Sequence, residues 1–327
     1  MKTFPTIQDI HEARERIQPF IRRTPLLRAE RIEPKVGCEL YLKLETLQIT
    51  GAFKLRGALN CTLSLPRDRI AKGLISSSSG NHAQGLSYVA RMLGIGVTLV
   101  LPVTTPEIKI RNTRDLGAEV ILFDGDNAAR WREVYALAEK NGYAVVHGFE
   151  DPMVMAGQGT VACEILEDLP EIDTIIVPLG GGGLIGGIAT AIKETKPDVR
   201  VIGAEPALTP KYYHSRLNGQ PTPLPLGNTI ADGLRLSVPA RNPYPIIEKY
   251  VDEIVLVSDE HIIAAMQTLA REAKLVAEPA ASIGVGALLA GSIKLRPDEK
   301  VATILTGGNW DLFDLATVFQ DRWRAPV

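Results

Sequence analysis

Cysteine is scarce. Cys38, Cys61 and Cys163 stand far apart among 327 residues and form no Cys-x-x-Cys pair. That usage excludes a disulfide framework and a zinc knuckle, and it reads as reduced core thiols of a cytoplasmic protein. Metal-ligand spacing is also missing from His11, His214 and His261, and His147 reads as a core residue at a domain hinge. No charge sign dominates: 36 Lys and Arg face 38 Asp and Glu, for a net charge of −2. A basic stripe for nucleic acid is therefore absent, and no nucleic-acid partner is expected. No apolar run approaches the roughly 20 residues that span a bilayer, so no membrane partner is expected either. Met1-Lys2-Thr3-Phe4-Pro5 lacks the apolar stretch of a signal peptide. Nothing repeats internally, and no regulatory domain is expected beyond Val327.

What is present is ample material for two cores: 45% apolar and 23% charged residues in a chain of two-domain length. Short apolar runs alternate with longer helical patterns. Strands are expected at 74–76, 97–101, 119–123 and 144–147, with helices at 83–93, 106–116 and through Trp131 to Ala138. A second block has strands at 174–178, 199–203, 253–257 and 301–305, and helices at 161–166, 184–193, 259–274 (capped by Asp259) and 280–289. The Pro-, Gly- and Asn-rich stretch 206–229 reads as an ordered loop. This rhythm predicts an α/β fold with two open, mostly parallel sheets flanked by helices.

Three runs carry chemistry. In Thr50-Gly51-Ala52-Phe53-Lys54-Leu55-Arg56-Gly57-Ala58 an ammonium sits among apolar neighbours. If Thr50 caps a helix there, its positive end and desolvation both lower the Lys54 pKa and leave an amine able to attack an aldehyde. The bland alternative is a lysine snorkelling to the surface. Ser76 to Gly85 runs from a strand into a helix, where free amides and serine hydroxyls favour an anion; a plain polar turn is the alternative. Gly180-Gly181-Gly182-Gly183-Leu184 also joins a strand to a helix, and small residues there let backbone amides close on a phosphate. The same run fits a dinucleotide fingerprint, Gly181-x-Gly183-x-x-Gly186, with Glu205 nineteen residues on as a ribose-binding acid. An NAD-binding oxidoreductase is therefore the rival from another class, although it leaves Lys54 and the serine run without a role.

Together with Ala156-Gly157-Gln158-Gly159-Thr160, Ala231-Asp232-Gly233 and Thr306-Gly307-Gly308-Asn309, these motifs follow one order along nearly the whole chain. In that order the sequence resembles the serine/threonine dehydratase (ammonia-lyase) and serine racemase family of pyridoxal-phosphate enzymes, with the tryptophan-synthase-β-like fold type II. The resemblance implies pyridoxal 5'-phosphate as cofactor, an amino-acid substrate and a homodimer. It also implies a large domain of residues 1–68 and 151–327 and a small mobile domain of 69–150.

Residue by residue, the resemblance implies that Lys54 is the Schiff-base lysine and proton carrier and that Phe53 packs beside the cofactor ring. Asn81 would meet its phenolic oxygen and Thr306 its pyridine nitrogen. Gly180, Gly181, Gly182, Gly183 and Leu184 would wrap the phosphate. Ser78, Ser79, Asn81 and His82 would surround the substrate carboxylate, and Glu278 would support the site. Trp131, Trp310 and Trp323 read as packing residues, with a place below the cofactor as the alternative for Trp310.

The implied reaction is β-elimination from a β-hydroxy amino acid, L-threonine or L-serine, to a 2-oxo acid and ammonia. Alternatives are serine racemisation, for which Ser79 is the acid opposite Lys54, or dehydration of 3-hydroxyaspartate or phenylserine. Leu236 beside Arg235 favours a non-acidic side chain. In metal-dependent relatives a carboxylate follows the residue at Glu205 by six positions. Here Lys211 stands there, so no metal is expected and the lysine ammonium is expected to replace the cation.

Overall fold

The computed structural model describes residues 4–105 and 107–320. Met1 to Thr3, Pro106 and Trp323, on which the readings of the amino terminus, of one helix start and of one tryptophan fell, lie outside the described residues. The strands are β1 (Leu26–Arg28), β2 (Glu39–Leu44), β3 (Leu74–Ser76), β4 (Val97–Pro102), β5 (Glu119–Phe123), β6 (Ala144–Val145), β7 (Thr174–Pro178), β8 (Arg200–Pro206), β9 (Glu253–Val257) and β10 (Lys300–Leu305). The first eight helices are α1 (Ile7–Ile17), α2 (Glu33–Val36), α3 (Lys54–Ser64), α4 (Arg67–Ile70), α5 (Asn81–Leu93), α6 (Glu107–Asp115), α7 (Asn127–Asn141) and α8 (Pro152–Asp168). They are followed by α9 (Gly183–Thr195), α10 (Lys211–Asn218), α11 (Pro243–Tyr250), α12 (Asp259–Thr268), α13 (Pro279–Leu289) and α14 (Leu312–Val318).

The strands form a six-stranded sheet, ordered β1-β2-β10-β7-β8-β9, and a four-stranded sheet, ordered β5-β4-β3-β6. Among these strands only β1 pairs antiparallel. Each sheet has one point where chain order reverses: between β10 and β7 in the large sheet, and between β3 and β6 in the small one. Ligands of open α/β sheets bind outside the strand carboxyl ends at such a point. The glycine turn follows β7, Thr306 follows β10, the serine run follows β3, and residues 146–150 follow β6.

Strand β7 is buried along its length, as an apolar run covered on both faces should be. Ile175 and Val177 enter the core under α8 and α9, and Ile176 enters the core under α13. Each such side chain is worth about 1.5–3 kcal/mol of burial. The Ala-Gly-Gln-Gly-Thr run lies in α8, where a methyl on Gly157 would stand 2.6 Å from the Arg56 carbonyl oxygen. Glycine there lets α8 press directly on α3. Among the described residues no helix is long and apolar enough to cross a membrane.

Several expectations change. Thr50 does not cap α3; the helix starts at Lys54 with Phe53 before it and no side-chain cap. The reason is tertiary: the Phe53 amide donates to the Thr306 carbonyl at 2.9 Å and Ala52 bridges to Gly307, which holds the segment out of the helix. Ser258, not Asp259, caps α12, and the Asp259 carboxylate instead takes Thr229 Oγ1 at 2.5 Å and the Ile230 amide at 2.9 Å. The α-helical part of that element stops at Thr268 and continues as one π turn to Ala273. The stretch 206–229 contains α10, whose first-turn amides, at Tyr212 and Tyr213, are satisfied by Glu205 at 3.0 and 2.9 Å. Helix α8 begins at Pro152 behind the Asp151 cap rather than at residue 161, and β6 ends at Val145. Elements α1, β1 and β2 were not anticipated.

Candidate active site

Lys54 opens α3 at the cleft between the sheets. Its Nζ donates to the Gly148 carbonyl at 2.8 Å and stands 5.1 Å from the centre of the buried Phe53 ring. Burial pushes the amine down to about 8, and Glu278 pulls weakly the other way. Near neutrality a useful fraction is therefore unprotonated and nucleophilic.

Around it, elements of both sheets converge. Asn81, the first residue of α5, donates through Nδ2 to both Glu278 oxygens at 2.8 and 3.1 Å. Asn309 Nδ2 donates to Asn81 Oδ1 at 2.9 Å and to the Thr50 carbonyl at 2.7 Å. Burial pushes the Glu278 carboxyl up to about 7, against the Asn81 amide. Thr306 is buried beside them, a neutral hydroxyl where a carboxylate would bring charge. Trp310 is a packing residue: it lies on Ile263, Met266 and Val318 of the α12–α14 cluster.

The serine run is anchored differently at each position. Ser76 Oγ donates to the Val146 carbonyl at 2.6 Å. Ser77 Oγ accepts from Arg130 Nε at 2.7 Å, and Ser78 Oγ accepts from the Gly80 amide at 3.3 Å. Ser79 is half-buried at the mouth of α5. His82 is buried with Nε2 3.0 Å from the Val146 carbonyl, and burial, then Lys54, hold its imidazole down to about 4. Its Nδ1 has no hydrogen-bond partner among the described residues, and the ring lies against Gly148 on the return from β6. His147 belongs to that return too, stacked on Trp131 at 4.0 Å.

Gly180 to Gly183 turn from β7 into α9, with Gly182 at φ +86° as the residue before the helix. That positive φ suits glycine, and the helix start leaves free amides for an anion. Leu184 is buried in the first turn. Glu205 cannot serve a ribose. It is fully buried, with Lys211 Nζ on Oε1 at 3.0 Å and the Tyr212 and Tyr213 amides on its two oxygens. That geometry removes the acid from the dinucleotide reading.

Sequence reasoning missed Gly148, Phe149, Arg130 and Asn309 as cleft-forming groups, along with the charges around Arg56. Asn309 lay inside a quoted motif. Lys109 of α6 also reaches Asp232 at 2.7 Å across the two sheets, an exposed pair worth at most about 1 kcal/mol.

Comparison with known proteins agrees with this geometry. A family model described as "Pyridoxal-phosphate dependent enzyme" matches residues 17–307. An L-threonine ammonia-lyase of Geobacter sulfurreducens is 44% identical over 315 residues, which is 95% of this chain and 77% of that protein. The structure of maize serine racemase superposes with a TM-score of 0.92 at 36% identity, covering 97% of both chains. The T.th. threonine deaminase does so with 0.88 at 38% identity, covering 94% of this chain and 99% of that one.

Proposed function

Because this chain belongs to the pyridoxal-phosphate dependent enzymes, we propose that it is an ammonia-lyase converting L-threonine or L-serine to a 2-oxo acid and ammonia. The observation that carries this reading is the half-buried Lys54 amine, lowered to about 8 and hydrogen-bonded to the Gly148 carbonyl, with a glycine turn at the sheet's switch point. The residues present fit the cofactor. An aldehyde needs such an amine, a phosphate needs the free amides of Gly180 to Leu184, and an apolar ring fits beside buried Phe53.

When bound, pyridoxal phosphate supplies an electron-withdrawing ring that acidifies the α-carbon of the amino acid it carries. The rest falls to the chain's own groups. Lys54 Nζ holds and moves the α-proton, a role worth about 10²–10⁴ in rate. Ser78, Ser79 and Asn81, at the start of α5, present hydroxyl, amide and helix-end donors to the substrate carboxylate, and His82 packs behind them. Asn81 is offered to the cofactor's phenolic oxygen and Thr306 to its ring nitrogen. A neutral hydroxyl there does not stabilise extra positive charge on the ring, which favours elimination over transamination. Residues 69–150 would move as the small domain, drawn in when the carboxylate binds and excluding water.

We further propose a homodimer working in a reducing, cytoplasmic setting. Three buried free thiols support the compartment, and light scattering of the purified protein tests the dimer. The function is tested by supplying a panel of β-hydroxy amino acids. Release of 2-oxo acid from L-threonine or L-serine is expected, and release from none of the panel would overturn the reading. Ser79 and the maize serine racemase neighbour favour racemisation as a second activity. Ser79→Ala is expected to lower the ratio of D-serine formed to 2-oxo acid released; an unchanged ratio would remove Ser79 as the second proton donor.

A further inference from the structure

The glycine turn and the return from the four-stranded sheet meet at one side chain. Phe149 follows Gly148, whose carbonyl holds Lys54, and its half-buried ring lies against the turn. A methyl placed on Gly181 would come within 2.5 Å of the ring atoms Cγ and Cδ1 and 3.0 Å of Cδ2. A methyl placed on Gly183 would come within 2.9 Å of Phe149 Cα and Cβ and 3.2 Å of its carbonyl oxygen. Neither glycine has a positive φ, so no left-handed backbone calls for glycine there, and the atoms a side chain would meet first are those of Phe149. At 181 the obstacle is the ring; at 183 it is the backbone and Cβ.

The ring is itself held from behind. His147 meets it edge-on at 4.6 Å and 81°, and stacks on Trp131 of α7 at 4.0 Å and 16°. His147 Nδ1 accepts the Phe149 and Glu150 amides at 3.3 and 3.1 Å, which requires an unprotonated nitrogen. Across the turn, Tyr212 Oη donates to the Gly181 carbonyl at 3.2 Å. A column of Trp131, His147, Phe149 and Gly181 thus runs from a helix of the small sheet to the turn of the large one.

We propose that Phe149 is a positioning residue for the cofactor phosphate: its ring seats Gly181 and so aims the amides at the start of α9. The inference rests on the reading above that this turn holds the phosphate. It also gives closure of residues 69–150 a direct mechanical path to the cofactor.

The test is a pair of double-mutant cycles on the full chain: Phe149→Ala with Gly181→Ala, and Phe149→Ala with Gly183→Ala. Pyridoxal phosphate affinity is read by absorbance titration, and the bound phosphate by its ³¹P resonance. Overpacking by one methyl is expected to weaken the cofactor roughly 10- to 100-fold in each single glycine variant. Removing the ring makes room at 181, so F149A/G181A is expected to bind no worse than F149A alone and to share its ³¹P position. The 183 pair keeps its backbone clash and is expected to gain nothing. If G181A fails to accumulate as folded protein while F149A/G181A does, that is the same rescue; if neither does while F149A folds, the proposal fails. Affinity losses that simply add in the 181 cycle overturn the role of Phe149 while leaving the turn as the phosphate site. Unchanged affinity and ³¹P position in both single glycine variants would overturn the phosphate reading, and the proposal with it.

Discussion

Two cations stand two residues apart on α3, and their surroundings are opposite. Positions i and i+2 of a helix do not share a face. Arg56 is fully buried among carboxylates: Nε and Nη2 reach Glu45 at 2.9 and 2.8 Å, and Nη1 and Nη2 reach Glu164 at 2.7 and 2.9 Å. Lys43 completes the cluster on Glu164 at 2.6 Å, so two positive and two negative charges cancel out of water. Lys54 has one carbonyl. The carboxyl that acts on it, Glu278, is itself pushed up to about 7 by burial. A desolvated cation with full compensation stays charged and fastens β2, α3 and α8 together. One without it holds its proton less firmly, down to about 8 for Lys54, and supplies a nucleophilic fraction. The first region is the mount, and the second is the tool it holds.

The largest expected effect separates them by activity. Lys54→Ala should retain the fold and lose about 10⁴-fold in kcat for 2-oxo acid release, at the upper end of what a positioned proton carrier contributes. Normal turnover by that variant would dismantle the assignment. Arg56→Met should fail differently, losing about 3–5 kcal/mol of folding stability because Glu45 is left a buried charge without a cation and Lys43 alone remains on Glu164. Urea unfolding of the cofactor-free protein measures this, and a loss within error would mean that the cluster fastens nothing.

The comparison sharpens with pH. The folded-state pKa of Lys54 is lowered from 10.5 to about 8, so the unfolded chain binds more protons between those values. Stability of the cofactor-free protein is then fully present above 10.5 and lost as pH falls through 8, by about 3 kcal/mol at most. Glu278 has the opposite sign: raised from 4.5 to about 7, it contributes stability below 4.5 that is lost as pH rises through 7. Lys43 and Lys211 are also lowered by burial, so the decisive quantity is the difference between wild type and Lys54→Met. That difference should grow between pH 10.5 and 8; a constant difference across this window would deny the free amine.

How much of this was legible beforehand follows from sequence distance. Lys54 among apolar residues, the serines before α5 and the glycines before α9 are local signals, and the alternation of strand and helix gave both sheets. The partners were hidden because they come from far along the chain: Gly148 lies 94 residues from Lys54, and Glu164 lies 108 from Arg56. The same reason explains the misread ends. Thr50 looked like a cap until β10 claimed its neighbours, and 206–229 looked like a loop because Glu205, outside the stretch, supplies what the start of α10 lacks.

The smallest expected effect concerns a third buried lysine. Lys211 lies between the other two cases: fully buried like Lys43, with one carboxylate, Glu205, at 3.0 Å and the Leu234 carbonyl at 3.4 Å. Among the described residues no group of three or more His, Cys, Asp or Glu is arranged for a metal ion, and an ammonium already occupies the charge-balancing position beside Glu205. Tyr212, next along α10, ties this pair to the Gly181 carbonyl, so the lysine stands behind the glycine turn as a cation that cannot be dialysed away. Prolonged chelation followed by gel filtration should therefore leave cofactor affinity and 2-oxo acid release unchanged. Loss of activity with recovery on adding magnesium or calcium would show that an exchangeable ion, not Lys211, balances Glu205, and Lys211 would then be a second Arg56 rather than a built-in substitute.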